Sequence, residues 1–260
     1  MPINDTEYFY FYDDFLKDKK YETEIHRIET RLLELGLTGR KERLTVLKNT
    51  KEILEDGIKR GAKTVVAIGS DATISKVMSV VADHENIVLG MIPVGPEQNI
   101  AEMLGVPTGI AACDILSKRI VKKVDLGKVN DQYFLFSLDI PVERVTVKCD
   151  NKYEVSIDDA DAEMRICNIG SVTTANKKVK HNDPADGKLE AVIRSRQSSW
   201  GIFKKKFDKD SIFKIKKARI SSRDGDATLV ADGQTMIKTP AKVEIVPKKL
   251  QLIVGRDRQF

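Results

Sequence analysis

The 260-residue sequence is short of the groups that staple or anchor a chain. Its three cysteines, Cys113, Cys149 and Cys167, are odd in number and form no CxxC pair, which argues against a disulfide framework or a cysteine zinc site and for buried free thiols. Three histidines, His26, His84 and His181, are scattered, so no histidine metal cluster is expected. No apolar run approaches the ~20 residues that a membrane-spanning helix needs. The N-terminus carries Asp5, Glu7, Asp13 and Asp14 instead of the basic start and small-residue cleavage site of a secretory leader. A cytoplasmic location is expected, with at most peripheral contact on the inner membrane face. Repeats and low-complexity tracts are missing. The charge balance, 44 basic against 39 acidic residues, gives +5, compatible with an anionic ligand or surface but with no nucleic-acid recognition motif beside it.

What is present is the composition of a folded globular protein, with 41% hydrophobic and 32% charged residues. The hydrophobic pattern divides in two. Glu7–Tyr12 (EYFYFY) has strong strand propensity. Ile25, Ile28, Leu32 and Leu35 follow at helical spacing and stop at Gly36, and Leu44, Leu47, Leu54 and Ile58 predict a second helix that ends near Gly61. Thr64–Ile68 and Ile87–Ile92 are short continuous apolar runs of the kind found in parallel strands buried on both faces, each followed by a turn and a helical segment. This alternation predicts a layered α/β domain with a parallel sheet over residues 1–127.

From Val124 onward strands come in close succession: Tyr133–Ile140, Arg144–Cys149, Tyr153–Ile157, Glu163–Ile169, Lys188–Ile193, Ile212–Ile220 and Ala227–Val230. Turn pairs such as Asn130-Asp131 and Asp186-Gly187 punctuate them. Residues 128–260 therefore predict an antiparallel β-sandwich domain with Trp200–Phe207 as its one helix. The last strands, Lys242–Val246 and Leu250–Val254, are free to return to the first domain. The expected class is α/β followed by all-β.

Two turns carry candidate chemistry. Gly69-Ser70-Asp71-Ala72-Thr73 leaves a buried strand and opens a helix, so its backbone N–H groups can approach a phosphate, Asp71 can hold magnesium through water, and Thr73 can donate to a phosphate oxygen. The same residues also read as a tight turn with Asp71 or Thr73 capping the helix, and on spacing alone the cap is favoured. Gly95 and Asn99 lie in a second turn after the next strand, and ligands of open α/β sheets bind at such strand ends. Further on, Asp183 and Asp186 can bind a metal or form a polar hairpin, and Asp232-Gly233-Gln234 sets a carboxylate beside an amide in what is otherwise an ordinary hairpin turn.

The order of these motifs resembles the diacylglycerol kinase catalytic-domain family, a group of lipid kinases related to sphingosine kinases and NAD kinases. Gly69–Thr73 stands for GGDGT, and Gly90-Met91-Ile92-Pro93-Val94-Gly95 with Asn99, Ala101 and Leu104-Gly105-Val106-Pro107 stands for the GxIPxGTxND stretch and its LGIP end. Asp125–Leu135 (DLGKVNDQYFL), Asp186–Leu189 (DGKL), Asp232–Gln234 and Thr239-Pro240 complete the series from about Lys63 onward.

The resemblance implies an ATP- and Mg2+-dependent phosphoryl transfer to a lipid hydroxyl, with a nucleotide-binding first domain. Gly69, Ser70, Asp71, Thr73, Gly95 and Asn99 would bind the nucleotide. Asp71, Asp183 and Asp186 would face metal, and Asp232 with Gln234 would fall on the acidic pair that includes the general base. The implied partner is a lipid at a membrane surface, with no nucleic acid and with a homodimer left open.

Four departures sit at the chemistry. Ser70 and Ala72 replace glycines, and Tyr12-Asp13-Asp14-Phe15 stands where the family has its NPxxG phosphate loop. Pro96-Glu97-Gln98-Asn99 replaces a TGND-like stretch, and Gln234 replaces a carboxylate. A non-catalytic nucleotide- or lipid-binding protein on the same scaffold is the alternative expectation.

Trp200, Phe203, Lys204, Lys205, Lys206 and Phe207, followed by Lys209, Lys214, Lys216 and Lys217, mix basic and aromatic residues as an anionic membrane surface requires, although a solvated edge would look the same. Each surface Lys near an anionic leaflet contributes about 1 kcal/mol, screened by salt. The segment is expected to float weakly with anionic vesicles at low salt. Equal flotation of wild type and a Lys204/Lys205/Lys206→Glu variant would leave it a solvated face.

Overall fold

The computed structural model describes residues 7–44, 49–141, 145–156, 162–173, 179–195, 211–223 and 225–260. They form two compact units, Met1–Val124 with Lys249–Gln259, and Asp125–Lys248 with the final Phe260.

The first unit starts with β1 (Tyr8–Tyr12), followed by a single 3-10 turn (Asp14–Lys17) and α1 (Lys19–Glu34). Then come β2 (Gly39–Arg43), α2 (Thr50–Lys59), β3 (Thr64–Gly69), α3 (Asp71–Val81), β4 (Val88–Pro93), α4 (Asn99–Met103) and α5 (Ala111–Lys118). Its sheet is parallel in the order β2-β1-β3-β4. Every residue of β1, β3 and β4 is buried, as strands covered on both faces must be. In β1 the alternating tyrosines and phenylalanines fill both faces, and burial is compatible with the phenols because Tyr10 donates to Leu37 C=O at 2.7 Å and Tyr12 to Glu29 Oε1 at 3.0 Å. Ile25, Ile28 and Leu32 make the buried stripe of α1, which ends before Gly36 at φ +68°. Helix α3 packs on β3 and β4, α2 on α3 and β1, and α5 on β4.

Two expectations for this unit are corrected. The second helix does not begin at Leu44: residues 39–43 form strand β2, and the helix that carries Leu54 and Ile58 starts only at Thr50, where the Asn49 side chain accepts the Glu52 N–H at 2.8 Å, while Leu47 lies outside the described residues. Strand β2 reads GRKER because it is an edge strand, half-exposed and charged, so it carries no apolar signal. Helix α5, absent from the sequence reading, is only eight residues long.

The second unit is built from strands. β5 (Val121–Val129) enters it from the first unit and forms a hairpin with β6 (Gln132–Phe134). In chain order there follow β7 (Ser137–Ile140), β8 (Val145–Cys149), β9 (Tyr153–Ser156), β10 (Ala162–Cys167), β11 (Ser171–Thr173), β12 (Val179–His181), β13 (Leu189–Ser195), β14 (Ser211–Ile215), β15 (Lys217–Ser222), β16 (Thr228–Ala231), β17 (Thr235–Lys238) and β18 (Ala241–Ile253). One antiparallel sheet runs β14-β13-β10-β7-β16-β17, and a second joins β9, β8, β15 and the first part of β18. Leu138, Ile140, Met164, Ile166 and Leu189 from the first sheet share one core with Val145, Val147, Ile220 and Val243 from the second, the arrangement of a β-sandwich. The fold class, α/β followed by antiparallel β, is the one the sequence implies.

Strand boundaries are redrawn by side-chain carboxylates. Ile212–Ile220 is two strands in two different sheets, broken at Lys216, because Asp150 accepts the N–H groups of both Lys216 and Lys217. Tyr133–Ile140 is likewise split, since Asp232 takes the N–H groups of residues 135–137 out of the ladder. Lys242–Val246 and Leu250–Val254 are one strand, β18, which passes through Pro247 and a left-handed Lys248 (φ +52°) and whose last residues pair with β4 in the first unit. The expected helix Trp200–Phe207 lies outside the described residues. No helix among the described residues is long and apolar enough to cross a membrane.

All three cysteines are free and buried. Burial pushes the Cys113 thiol up to about 11 and the Cys167 thiol up to about 12, and it raises Cys149 as well. A thiol reagent at pH 8 is therefore expected to label native protein very slowly and to titrate three thiols in denaturant. Rapid labelling of the native fold would contradict this packing.

Candidate functional site

The ends of β1, β3 and β4 meet at the C-terminal edge of the parallel sheet, where open α/β sheets hold ligands. Three backbone bonds stitch the turns together there: Asp13 N–H to Ile68 C=O at 3.1 Å, Val94 N–H to Gly69 C=O at 3.0 Å, and Asp71 N–H to Glu97 C=O at 2.9 Å. The sequence candidates Gly69, Ser70, Asp71, Thr73, Gly95 and Asn99 all belong to this edge. What each one does there is the informative part.

Asp71, 6% exposed, is spent on the protein's own backbone. Its Oδ2 accepts the Asn99 N–H at 2.8 Å and the Asn99 side-chain amide at 3.3 Å, and its Oδ1 accepts the Ile100 N–H at 3.1 Å. It thus satisfies the first donors of α4, which has no side-chain cap of its own. Burial raises the Asp71 pKa, the Ile100 and Asn99 hydrogen bonds oppose that rise, and the Glu97 charge adds to it.

Thr73 stands at the third position of α3, accepts the Ser70 N–H at 3.2 Å and donates its hydroxyl to Asp13 Oδ2 at 2.7 Å. Gly69 takes φ +154°, and a Cβ there would come within 2.3 Å of Thr73 Oγ1, so only glycine lets the threonine close over the turn.

Gly95, at φ +93°, is covered by an aromatic ring. An added Cβ would lie 2.8 Å from both Cε2 and Cζ of Phe15, and Phe15 meets Tyr21 edge-on at 5.4 Å between centroids. The residues do not fit a magnesium–nucleotide complex as they stand. The carboxylate expected to face metal caps a helix, the expected phosphate donor is bonded to another carboxylate, and the glycine turn is occupied. Among the described residues, no group of three or more His, Cys, Asp or Glu is placed to hold a metal ion.

The second unit holds the other candidates. Asp183 Oδ1 accepts the Ala185 N–H and Asp186 Oδ1 the Lys188 N–H, both at 3.0 Å, so each closes its own turn. Asp186 also pairs with Lys214 Nζ at 2.8 Å, which raises the lysine pKa. Asp232 and Gly233 are consecutive left-handed residues (φ +49° and +69°) closed by the Gln234 N–H on Ala231 C=O, a primed hairpin turn. The Asp232 carboxylate reaches back to the N–H groups of Leu135, Phe136 and Ser137 at 2.7–3.0 Å, while Gln234 is exposed at the tip.

Sequence reasoning assigned no role to Asp125, Asn168 or Phe15. Asp125, 1% exposed, accepts the Gly187 N–H at 2.7 Å and the Lys248 N–H at 2.8 Å, tying the acidic loop to the irregular point of β18. Asn168 donates to the carbonyls of Asp125 and Leu135 at 2.8 and 3.0 Å. A carboxylate opening DLGK was the available signal for the first; nothing in the sequence marked the second.

Comparison with known proteins agrees with this geometry in fold. Residues 11–129 match the model of the Diacylglycerol kinase catalytic domain. The chain is 36% identical over 74 residues to a diacylglycerol kinase of Bacillus subtilis, covering 27% of this chain and 24% of that protein. It is 29% identical over 91 residues to a "Probable lipid kinase YegS-like" of Xanthomonas oryzae pv. oryzae, covering 33% and 29%. The aligned part thus spans only about a quarter of these relatives. A crystal structure of a diacylglycerol kinase from Bacillus anthracis superposes with a TM-score of 0.75 at 18% identity, covering 98% of this chain and 99% of that one. Yeast NADH kinase superposes with 0.59 at 10% identity, covering 100% and 89%.

Truncating either backbone-holding carboxylate leaves buried or half-buried N–H groups without an acceptor, at a cost of about 1–3 kcal/mol. Asp71→Ala and Asp232→Ala are each expected to lower the urea midpoint accordingly. Midpoints unchanged from wild type would mean that these carboxylates are not structural.

Proposed function

Because residues 11–129 match the model of the Diacylglycerol kinase catalytic domain, we propose that this chain is a lipid-kinase relative that works by binding, at a lipid surface, with phosphoryl transfer lost. One observation carries the reading: at the strand ends of the first unit, Asp71, Thr73 and Gly95 are all engaged by the protein itself. A kinase site needs donors and carboxylates aimed at developing charge and at metal, since phosphoryl transfer rests almost wholly on positioning and electrostatics. Donors already satisfied internally offer a polyphosphate little, and the carboxylates of Asp13 and Asp14 repel it.

Asp183 and Asp186 act in this reading as turn carboxylates, and Asp232 as the post that shapes residues 135–137. The expected surroundings are cytoplasmic, with peripheral contact to a membrane lipid.

A slow lipid kinase is the second reading, favoured by Asp232, which keeps one carboxylate of the acidic pair that the resemblance implies. Gln234 is exposed on the same hairpin, so Gln234→Glu restores a carboxylate there with no packing cost. Losing a positioned base lowers rate by about 10²–10⁴-fold. With Mg-ATP and mixed micelles spanning lipid classes, wild type is expected at least ~100-fold below the roughly 1–100 s⁻¹ of kinases. Turnover within that range would overturn the proposal. A tenfold or larger gain in Gln234→Glu, abolished by Asp232→Asn, would favour the slow kinase. NADP formation from NAD would favour a nucleotide kinase instead.

A further inference from the structure

Asp13 and Phe15 come from one turn and reach two different parts of the candidate site. Asp13, 8% exposed, receives the Thr73 hydroxyl at 2.7 Å in the first turn of α3. A buried anion on that hydroxyl supplies the acceptor that a phosphate oxygen would otherwise provide. Phe15 lies against Gly95, where a bare backbone would otherwise face an incoming group, and Tyr21 backs it edge-on. The turn is firmly seated. Leu16 is 3% exposed, its N–H bonds to Asp13 C=O at 3.3 Å, the Asp13 N–H bonds to Ile68 C=O, and Asp14 pairs with Lys17.

We propose that the turn following β1 is a built-in occupant of the strand-end site: Asp13 holds the place of an anion and Phe15 covers the glycine turn, so that together they keep a nucleoside triphosphate out. The inference rests on the reading of this edge as a disabled kinase site, and it names the residues that disable it. Two contributions are separable. The Asp13 carboxylate acts by charge and by its claim on Thr73. The Phe15 ring acts by volume, because a group approaching Gly95 must first displace it. Ser70 and Ala72 would then be secondary, since neither blocks the turn as the ring does.

Calorimetric titration with Mg-ATP of wild type, Asp13→Asn, Phe15→Ala and the double variant tests this. Asparagine keeps an oxygen for the Thr73 hydroxyl, so Asp13→Asn removes charge with the bond retained, and Phe15→Leu replaces Phe15→Ala should the smaller side chain prevent folding. The double variant is expected to bind Mg-ATP at least tenfold more tightly than wild type, with each single variant between, and with new protection from hydrogen exchange over residues 69–73 and 95–100. A folded double variant that binds no more tightly than wild type, or that like wild type shows no binding, overturns the proposal. The readout is affinity, so its failure is separate from that of the functional reading. Rapid lipid phosphorylation by wild type would sink that reading whatever the variants bind, and an inactive wild type with unimproved variants would sink only the occupant.

Discussion

The hydrogen bonds from the Asn99 and Ile100 N–H groups to Asp71 are the contact on which the candidate site depends. A parallel sheet delivers several turns and helix starts to one edge, each with backbone donors that need acceptors. Ligand oxygens meet that need in a phosphate-binding protein. Here the chain's own carboxylates meet it: Asp71 serves α4, and Asp13 takes the hydroxyl that Thr73 holds at the start of α3. The second unit uses the same device, with Asp125 holding Gly187 and Lys248, Asp150 holding Lys216 and Lys217, and Asp232 holding residues 135–137.

This changes the meaning of the motif positions. The aspartate of a GGDGT-like turn is as well suited to hold a neighbouring helix as to face metal, and its neighbours decide between the two. Next to Glu97 and beneath α4, Asp71 is drawn to the backbone. Gly95 takes a left-handed conformation, and the Phe15 ring covers it.

Much of this was legible in the sequence, and the failures have identifiable causes. Continuous apolar runs announced β3 and β4 because both faces of those strands are covered. The charged edge strand β2 was invisible because edge strands answer to solvent, not to a core. The breaks at Lys216 and at residues 135–137 were hidden because they are imposed by Asp150 and Asp232, one distant by 66 residues and the other by about 97. At the site, the candidate residues named from the sequence lie on turns at one edge of the parallel sheet, and the order of the motifs resembles that of the diacylglycerol kinase catalytic-domain family. What the sequence did not disclose is direction: nothing local says that Asp71 points at Ile100, or that the Phe15 ring lies on Gly95.

Amide hydrogen exchange at Asn99 and Ile100, with and without millimolar Mg-ATP, tests the central claim most directly. If the protein's own carboxylate satisfies these donors, both amides exchange slowly in the wild type, are unaffected by Mg-ATP, and exchange faster in Asp71→Ala. A wild type in which Mg-ATP slows exchange at these amides and over residues 69–73 would contradict the account, because the site would then be built for the ligand and not for itself.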